Sequence, residues 1–326
     1  MDTVVASGAV ALAVREFGGT GSPMLLLHGA GSTLADMAPL ATHLTADHRV
    51  VGMDLRNHGQ SGDGPWSWDA VLGDVRAVIE QLELTSPILV GHSLGGMLAV
   101  MYSHCRGGIA GAVNLDGFGT GAPDQYDMDP AEVVRLLQRL HSLTDEKVDS
   151  LTQPQTSEQV STSRRAWVSA ASALGLETSQ AEEAFDRPLV AGPRGTLVRR
   201  PVAERLAQLR TCIDELDVLG LYRQTAAPHL VYVAVRAQPD PSLPPELNAL
   251  ALARQRAVAG QVRAIALARP NIQVIELDAT HGLVYEQPNI IAGQICAFAS
   301  RLACLAGARS MTRLPPGPGM ADEERT

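Results

Sequence analysis

The sequence predicts an α/β fold with a mostly parallel central sheet, helices on both faces, and a helical cap inserted after the sixth strand. In the first half of the chain, short apolar runs such as MLLL, PILV and GAVNL alternate with amphipathic helical segments. Strands that are buried on both faces of a parallel sheet are apolar throughout, as these runs are. The alternation stops after Asp116 and resumes near Leu230. We therefore interpret the part between them as an insertion.

The order of the elements follows from this alternation. The first two strands form an antiparallel hairpin and the others are joined by crossover helices. Six strands are predicted before the insertion, at 3–6, 10–17, 24–27, 49–54, 88–90 and 110–115. Helices are predicted between them at 35–44, 69–82 and 94–105. After the insertion we expect strands at 230–235 and 272–277, and helices at 245–268 and 289–305.

The insertion divides the chain into a first core part (1–122), a helical cap (123–226) and a second core part (227–306). Within the cap, amphipathic patterns predict helices at 130–143, 157–174 and 201–220, with no convincing strand. The last segment, 307–326, is rich in Pro and Gly and then acidic. Such a composition buries too little apolar surface to order itself, so we expect a disordered tail.

Composition excludes several classes of protein. Of 326 residues, 45% are apolar and 19% charged, which is typical of a soluble globular protein, and the net charge of −9 without a basic run argues against a nucleic-acid partner. The four cysteines lack the close spacing of a metal or redox site. We find no basic leader and no run of about 18 apolar residues, so we expect a cytoplasmic location and no membrane span. Nothing in the sequence sets the oligomeric state.

The most informative motif is a GxSxG pattern around Ser93. It lies between an apolar run and an amphipathic helix, where Gly91 and Gly95 permit a tight strand-to-helix turn. Such a turn exposes the Ser93 hydroxyl at the carboxyl edge of the sheet. The amide of Leu94, at the start of the helix, then faces a developing oxyanion.

A second amide for that oxyanion is expected in the loop after the third strand. The segment His28-Gly29-Ala30-Gly31 is glycine-rich there, which leaves amides free to face a ligand, and Ala30 is the candidate donor. No GK[ST] follows the loop and no GxGxxG is formed, so a phosphate loop or a dinucleotide fingerprint is excluded.

A serine nucleophile needs a base, and His281 is the candidate. Of the nine histidines in the chain, four follow Ser93, as the order nucleophile, acid, base requires. His104 falls inside a helix, His141 in the insertion, and His229 at the start of a strand. His281 directly follows the last strand, at the same sheet edge as Ser93.

The acid that orients the histidine is less clearly marked. Asp116 and Asp240 each follow a strand after Ser93, while Asp278 shares its loop with His281 and cannot easily face it. Asp240 follows the strand next to the one that carries His281, and we favour it, with Asp116 as the alternative. Either carboxylate could hold the imidazole in the required tautomer.

The motifs together resemble the α/β-hydrolase fold family. HGAG, D-L-R-N-H-G-Q-S at 54–61, GHSLGG and D-A-T-H-G occur in the family's order, and the likeness covers about 1–120 and 228–306. The resemblance implies a Ser-His-Asp triad, an oxyanion hole from Ala30 and Leu94, no metal and no organic cofactor. In many members the acid follows the strand matched by 230–235, which supports Asp240. A glycine usually precedes that acid, and its absence here keeps Asp116 open.

The segment 54–61 is dense in polar side chains, but we interpret it as structural. Arg56 and Ser61 are expected to hold the loop after the fourth strand by bonds from their side chains to the backbone.

The insertion is expected to cover Ser93 and to shape a pocket for a small-molecule substrate. The candidate lining residues of the cap are Trp167, Leu136, Leu137 and Leu140. Because the cap contains no cluster of Lys or Arg, we expect an uncharged or hydrophobic acyl group. The favoured function is therefore a serine hydrolase that acts on a carboxylic ester, lactone or thioester through an acyl-enzyme.

Two other classes of function compete with this one. Carbon–carbon bond hydrolysis, a lyase reaction or haloperoxidase-type chemistry occurs on the same fold without a cofactor, and a few members only bind their ligand. Epoxide hydrolases and dehalogenases of the family carry aspartate where Ser93 stands, so we disfavour those activities.

Overall fold

The order of strands in the central sheet decides which side chains meet at its edge. The structure is a computed structural model that describes residues 2–311, with side chains described up to residue 306. It contains ten strands in that range: β1 Asp2–Ser7, β2 Val10–Gly18, β3 Pro23–Leu27, β4 Arg49–Met53, β5 Ile88–His92, β6 Gly111–Leu115, β7 Leu189–Ala191, β8 Leu197–Arg199, β9 His229–Ala234 and β10 Ile272–Leu277.

Eight of these strands form one sheet, in the order β1-β2-β4-β3-β5-β6-β9-β10. The pairs β1–β2 and β2–β4 are antiparallel, and all the others are parallel. The predicted fold class and the positions of the eight core strands are thus confirmed. Because the parallel strands share one direction, the carboxyl ends of β3, β5, β6, β9 and β10 meet at one edge.

Eleven α-helices are described. They are α1 Ala38–Leu44, α2 Trp68–Gln81, α3 Leu94–Cys105, α4 Pro130–Thr152, α5 Ser157–Ala173, α6 Thr178–Asp186, α7 Ala203–Asp214, α8 Val218–Gln224, α9 Pro245–Ala268, α10 Leu283–Glu286 and α11 Pro288–Met311. One core cluster joins the sheet to α1 and α11, and two others join its opposite face to α2, α3, α8 and α9.

The apolar run in β3 shows why both faces are covered. Leu25 and Leu27 belong to the cluster with α2 and α3, whereas Met24 and Leu26 belong to the cluster with α1 and α11. All four are fully buried. Alternate residues of a strand point to opposite faces, so a strand between two helical layers is apolar at every position.

The inserted segment between β6 and β9 differs from the prediction in four details, one of which is that helix α6, Thr178–Asp186, was not predicted. The expected helix at 130–143 continues to Thr152, and the expected helix at 201–220 is two helices, α7 and α8. The break between them is set by Asp217, whose carboxylate caps α8 by accepting from the amide of Gly220 at 2.9 Å. The hairpin β7–β8 was not predicted, because strands of three residues are too short to show an alternating pattern.

The last helix is longer than predicted. α11 ends at Met311, so residues 307–311 of the expected tail are helical, and the rest of that tail, 312–326, lies outside the described residues. The segment Pro288–Ala306 has a mean hydropathy of 1.4 and is long and apolar enough to cross a membrane, contrary to our expectation. Its face formed by Ile291, Ile295 and Phe298 packs into the cluster with α1.

A buried ion pair joins the insertion to the core. Asp54 follows β4 and is fully buried, and its carboxylate accepts from the amides of Leu34 and Gln60 at 2.8 Å each. Arg187, directly after α6, donates from Nε to Asp54 Oδ2 at 2.9 Å, and its Nη1 lies 2.6 Å from Asp2. The loop after β4 is therefore tied to the insertion by charge.

Removal of this buried ion pair is predicted to lower the free energy of unfolding by a large amount. Arg187→Met leaves the Asp54 carboxylate buried without its cation, and such a loss costs about 3–5 kcal/mol of the free energy of unfolding. Urea titration followed by circular dichroism measures it. The control is Arg164→Met, because Arg164 pairs with Asp186 at the surface of the same insertion and exposed pairs contribute about 1 kcal/mol or less. Equal losses in both variants would contradict the prediction.

Candidate active site

Ser93 occupies a sharp turn between β5 and α3. Its backbone has φ 53° and ψ −114°, a conformation that few residues other than glycine adopt. A Cβ atom at Gly91 would lie 2.0 Å from the carbonyl carbon of Gly95, and one at Gly95 would lie 2.1 Å from the oxygen of Leu27. The two glycines of the motif are therefore required by close backbone packing, which holds Ser93 at the sheet edge.

Asp116 occupies a second sharp turn, directly after β6. Its φ is 59°, and the turn is closed by Asn114, whose Oδ1 accepts from the Gly117 amide at 2.7 Å and whose Nδ2 donates to the Gly117 carbonyl at 2.8 Å. Asp116 Oδ1 accepts from the amide of Ala234 at 3.0 Å. One carboxylate oxygen is thus fixed by the neighbouring strand, and the other is left for a further partner.

That further partner is His281. Its Nδ1 lies 2.7 Å from Asp116 Oδ2. Glu286 holds the loop that carries it by accepting from the amide of Thr280 at 3.1 Å and by pairing with Arg236. The His281 side chain is 54% exposed, whereas that of Asp116 is 16% exposed. The imidazole is therefore partly exposed at the mouth of the site, while the loop that carries it is held in place.

The structure corrects our preference for Asp240. Its Oδ1 accepts from the amide and the hydroxyl of Ser242 at 2.8 and 2.6 Å. These bonds, with Lys147 nearby, hold the pKa of Asp240 below its usual range. Asp240 stands six residues after Ala234, the end of β9, and no hydrogen bond joins it to His281 within the described residues, whereas Asp116 is bonded to that ring. Asp116, the alternative, follows its strand without an intervening residue.

The two amides expected to bind an oxyanion are left without partners. Among the described residues, neither the Ala30 nor the Leu94 amide donates a hydrogen bond to the backbone or to a side chain, whereas the next helical amide, that of Gly95, donates to His28 at 3.1 Å. A Cβ atom at Gly29 would lie 3.3 Å from Cβ of Ser93. The loop before Ala30 therefore lies against the serine. The assignment of both amides stays a prediction.

His28 holds this loop in place through both of its ring nitrogens. Its Nδ1 lies 2.7 Å from the Gly29 carbonyl, and its Nε2 accepts from the amide of Leu55 at 2.9 Å. Complete burial lowers the pKa of His28 to about 4, so the ring is neutral at pH 7. A neutral ring has one donor and one acceptor, which is what these two bonds need.

His92 was missed by the sequence analysis. It precedes Ser93, and its Nε2 lies 2.8 Å from the carbonyl oxygen of His281. The two ring centroids are 4.9 Å apart. Burial and the nearby His281 together lower the pKa of His92 to about 3, so Nε2–H of a neutral ring donates to the carbonyl. In the sequence, the only indication of this role was that His92 occupies the variable position directly before the serine of the GxSxG motif.

One cavity of about 580 Å³ joins the three side chains. Ser93, Asp116 and His281 all line it, although no hydrogen bond joins the hydroxyl to the imidazole within the described residues. Catalytic hydrogen bonds are often long without a bound substrate. The other walls are mainly apolar and come from α3, the loop after β6, β9 and α9, with Met97, Phe118, Val233, Leu252 and Val258 as the largest apolar side chains.

The four expected pocket residues of the cap lie elsewhere. Trp167 donates from Nε1 to the carbonyl of Ala181 at 3.0 Å, within the pair α5–α6. Leu136, Leu137 and Leu140 belong to a cluster with Leu247 and Leu250 of α9. The apolar face of α4 is therefore buried against α9. The wall of the cavity comes from α9 rather than from the cap.

The polar segment 54–61 has the structural role that we predicted for it. Arg56 donates from Nε and Nη2 to the two oxygens of Asp74 at 2.6 and 2.8 Å, and from Nη1 to the carbonyl of Pro65 at 2.8 Å. Ser61 donates to the carbonyl of Asp54 at 2.6 Å and accepts from the amide of Ala13 at 2.9 Å.

Comparison with known proteins identifies a family to which most of the chain matches. The model of a family described as "Alpha/beta hydrolase family" matches residues 24–294. The esterase YbfF of Escherichia coli is 33% identical over 76 residues, which are 23% of this chain and 30% of that protein. The sn-1-specific diacylglycerol lipase ABHD11 of Xenopus laevis is 35% identical over 83 residues, 24% of this chain and 27% of the lipase. The matched segments thus span less than a third of either relative.

Among solved structures, the crystal structure of E-2-(acetamidomethylene)succinate hydrolase is similar over most of its length. The TM-score is 0.67 at 20% identity, with 92% of this chain and 99% of that chain covered. At that identity the likeness shows the fold.

The pairing of His281 with Asp116 can be tested by removing one charge at a time. Asp116→Asn keeps the size of the side chain but stabilises the wrong tautomer of the imidazole, and the corresponding change in a serine triad of another fold costs about 10⁴-fold in rate. We expect Asp116→Asn to slow labelling of Ser93 by a fluorophosphonate at least about 100-fold, and Asp240→Asn to slow it less than about threefold. The reverse order would return the role to Asp240.

Proposed function

Since the chain belongs to the alpha/beta hydrolase family, we propose that it is a serine hydrolase that cleaves a carboxylic ester, lactone or thioester through an acyl-enzyme. The observation that supports this most is the contact of 2.7 Å between His281 Nδ1 and Asp116 Oδ2, in the cavity that Ser93 also lines. A nucleophile, a base and a group that orients the base then stand at one sheet edge.

The proposed reaction uses the same three side chains in both half-reactions, with His281 acting first as base and then as acid. With Nδ1–H donated to Asp116, the Nε2 lone pair of His281 takes the proton from Ser93 as Oγ attacks the carbonyl carbon. The tetrahedral intermediate places its oxyanion between the amides of Ala30 and Leu94. Its collapse breaks the ester bond, and the leaving alcohol or thiol takes the proton from His281. Water then repeats the sequence on the acyl-enzyme and releases the acid.

The walls of the cavity support a mainly hydrophobic substrate. Leu252 and Val258 of α9 face the same space as Met97 of α3, and apolar walls bind an alkyl or aryl group by excluding water from both surfaces. The names of the two relatives, an esterase and a lipase, agree with cleavage of an ester. Ser93, rather than an aspartate at this position, argues for an acyl-enzyme.

The nucleophile is tested by active-site labelling. A fluorophosphonate is expected to attach to Ser93 alone, and Ser93→Ala should abolish both labelling and hydrolysis of 4-nitrophenyl esters, because no other serine, threonine or tyrosine of the described residues lines the cavity with His281. Peptide mass spectrometry locates the adduct. Ser300→Ala, at an exposed serine of α11, is the control and should behave like the unmodified protein. Labelling that persists in Ser93→Ala would contradict the proposal.

The position of the pocket is tested by acyl-chain preference. Leu252→Trp narrows the cavity, so the ratio of kcat/KM for the octanoate over the acetate ester should fall about tenfold, as expected for the loss of one or two methylene contacts. Trp167→Ala, outside the cavity, should leave that ratio unchanged. A change in the ratio from Trp167→Ala but not from Leu252→Trp would move the pocket back under the cap.

A further inference from the structure

Two arginines line the cavity that contains Ser93, and their surroundings differ. Arg236 is exposed and pairs with Glu286. Arg254, on α9, makes no ion pair within the described residues. The carboxylate of Asp217, whose charge acts on Arg254, is engaged by Gln125 Nε2 at 3.1 Å and by the amide of Gly220 at 2.9 Å. Arg254 is thus a half-buried cation whose charge has no bonded counterpart.

The bonds that Arg254 does make are weak. Nη1 donates to the carbonyl and the side-chain oxygen of Gln125 at 3.3 and 3.4 Å, and Nη2 donates to the carbonyl of Phe118 at 3.3 Å. Charge-assisted bonds of guanidinium to carboxylate are about 2.7–2.9 Å long. Nε is buried and has no hydrogen-bond partner among the described residues. A buried N–H without an acceptor is costly and calls for one.

A guanidinium can bind both oxygens of a carboxylate, because two of its N–H groups point in parallel along one edge. The chain uses this kind of pairing elsewhere, where Arg56 donates from Nε and Nη2 to both oxygens of Asp74 at 2.6 and 2.8 Å. The guanidinium of Arg254 lines the cavity that contains Ser93, and no carboxylate of the described residues is bonded to it.

The surroundings of Arg254 also hold its guanidinium in place. Gly121 has φ +75°, and a Cβ atom there would lie 2.3 Å from Nη2 of Arg254, so the guanidinium packs closely against the backbone of this glycine. The guanidinium also lies over the ring of Tyr126, with 5.4 Å between the ring centroid and Cζ. A cation held in this way loses little freedom when it binds an anion.

We propose that the guanidinium of Arg254 binds a carboxylate of the substrate, so that the preferred ester carries a negative charge at a distance from the bond that Ser93 attacks. This inference rests on the proposed ester hydrolysis. It also departs from the uncharged acyl group that the composition of the cap led us to expect. Arg254 lies on α9, outside the insertion, where a count of charges in the cap does not include it.

The test compares pairs of esters that differ only in a terminal carboxylate. In one arm the carboxylate is in the acyl part, with 4-nitrophenyl monoesters of dicarboxylic acids from succinate to suberate against alkanoates of equal length. In the other arm it is in the alcohol part, with 6-acetoxyhexanoate against hexyl acetate. In at least one arm, kcat/KM should be at least about tenfold higher for the charged ester, a difference of about 1.4 kcal/mol.

Variants at Arg254 should remove this preference. We expect Arg254→Gln to lower kcat/KM for the charged ester about 10–100-fold and for the neutral ester less than about threefold, and Arg254→Lys to retain only part of the preference because ammonium lacks the fork. Arg263→Gln is the control on the same helix, since Arg263 pairs with Glu276 at the surface. A preference equal in all variants, or absent in both arms, would overturn the proposal.

A binding measurement keeps the test valid if Arg254→Gln does not fold. With the unmodified protein, adipate should slow the labelling of Ser93 by a fluorophosphonate at concentrations where hexanoate does not, and Arg254→Lys should weaken that protection. Equal protection by both acids would overturn the carboxylate site. A failure of the proposed function looks different, because Ser93 is then not labelled and neither ester series is cleaved, while calorimetric titration of adipate against hexanoate still decides whether Arg254 binds the carboxylate.

Discussion

Two sharp backbone turns have to pack against each other, and the whole site depends on that contact. The turns carry Ser93 and Asp116 at the ends of adjacent strands, β5 and β6. A Cβ atom at Gly117 would lie 2.1 Å from the carbonyl oxygen of Ser93, and one at Gly96 would lie 2.1 Å from Oδ1 of Asn114. Both turns are therefore closed by backbone and by one buried amide. Because the interior is closely packed, neither residue can shift without the other.

Asn114 is the residue that joins these contacts. It lies in β6, is fully buried, closes the turn of Asp116 and also donates to the hydroxyl of Tyr222 at 2.8 Å. All of its bonds run to groups that are themselves buried, so a replacement leaves several unsatisfied polar atoms rather than one. The separation of Ser93 and Asp116 is thus set by the packed backbone of the two turns and by the buried side chain of Asn114.

The sequence was sufficient for the eight strands of the central sheet and for placing Ser93 and His281 at its carboxyl edge, because apolar runs and glycine spacing are local signals. It was not sufficient for the acid. Distance along the chain from a strand end does not show which way a loop turns, and five residues separate Asp240 from the end of β9. A local signal did exist: in Asn114-Leu115-Asp116-Gly117, an asparagine, an aspartate that tolerates positive φ, and a glycine together are typical of a tight turn. Only the structure shows what that turn faces.

The three side chains are not held equally. Ser93 and Asp116 are fixed by strands and turns, whereas the His281 ring is half exposed and stands on a loop secured by Glu286 and by His92. Water around the ring screens its attraction to Asp116, and a substrate that fills the cavity removes that water and strengthens the pair. Charge also gives the substrate a direction. Asp116 and Arg254 line the same cavity. A substrate carboxylate is repelled by the first and attracted by the second, so the proposed binding at Arg254 would keep that carboxylate away from the pair of Asp116 and His281.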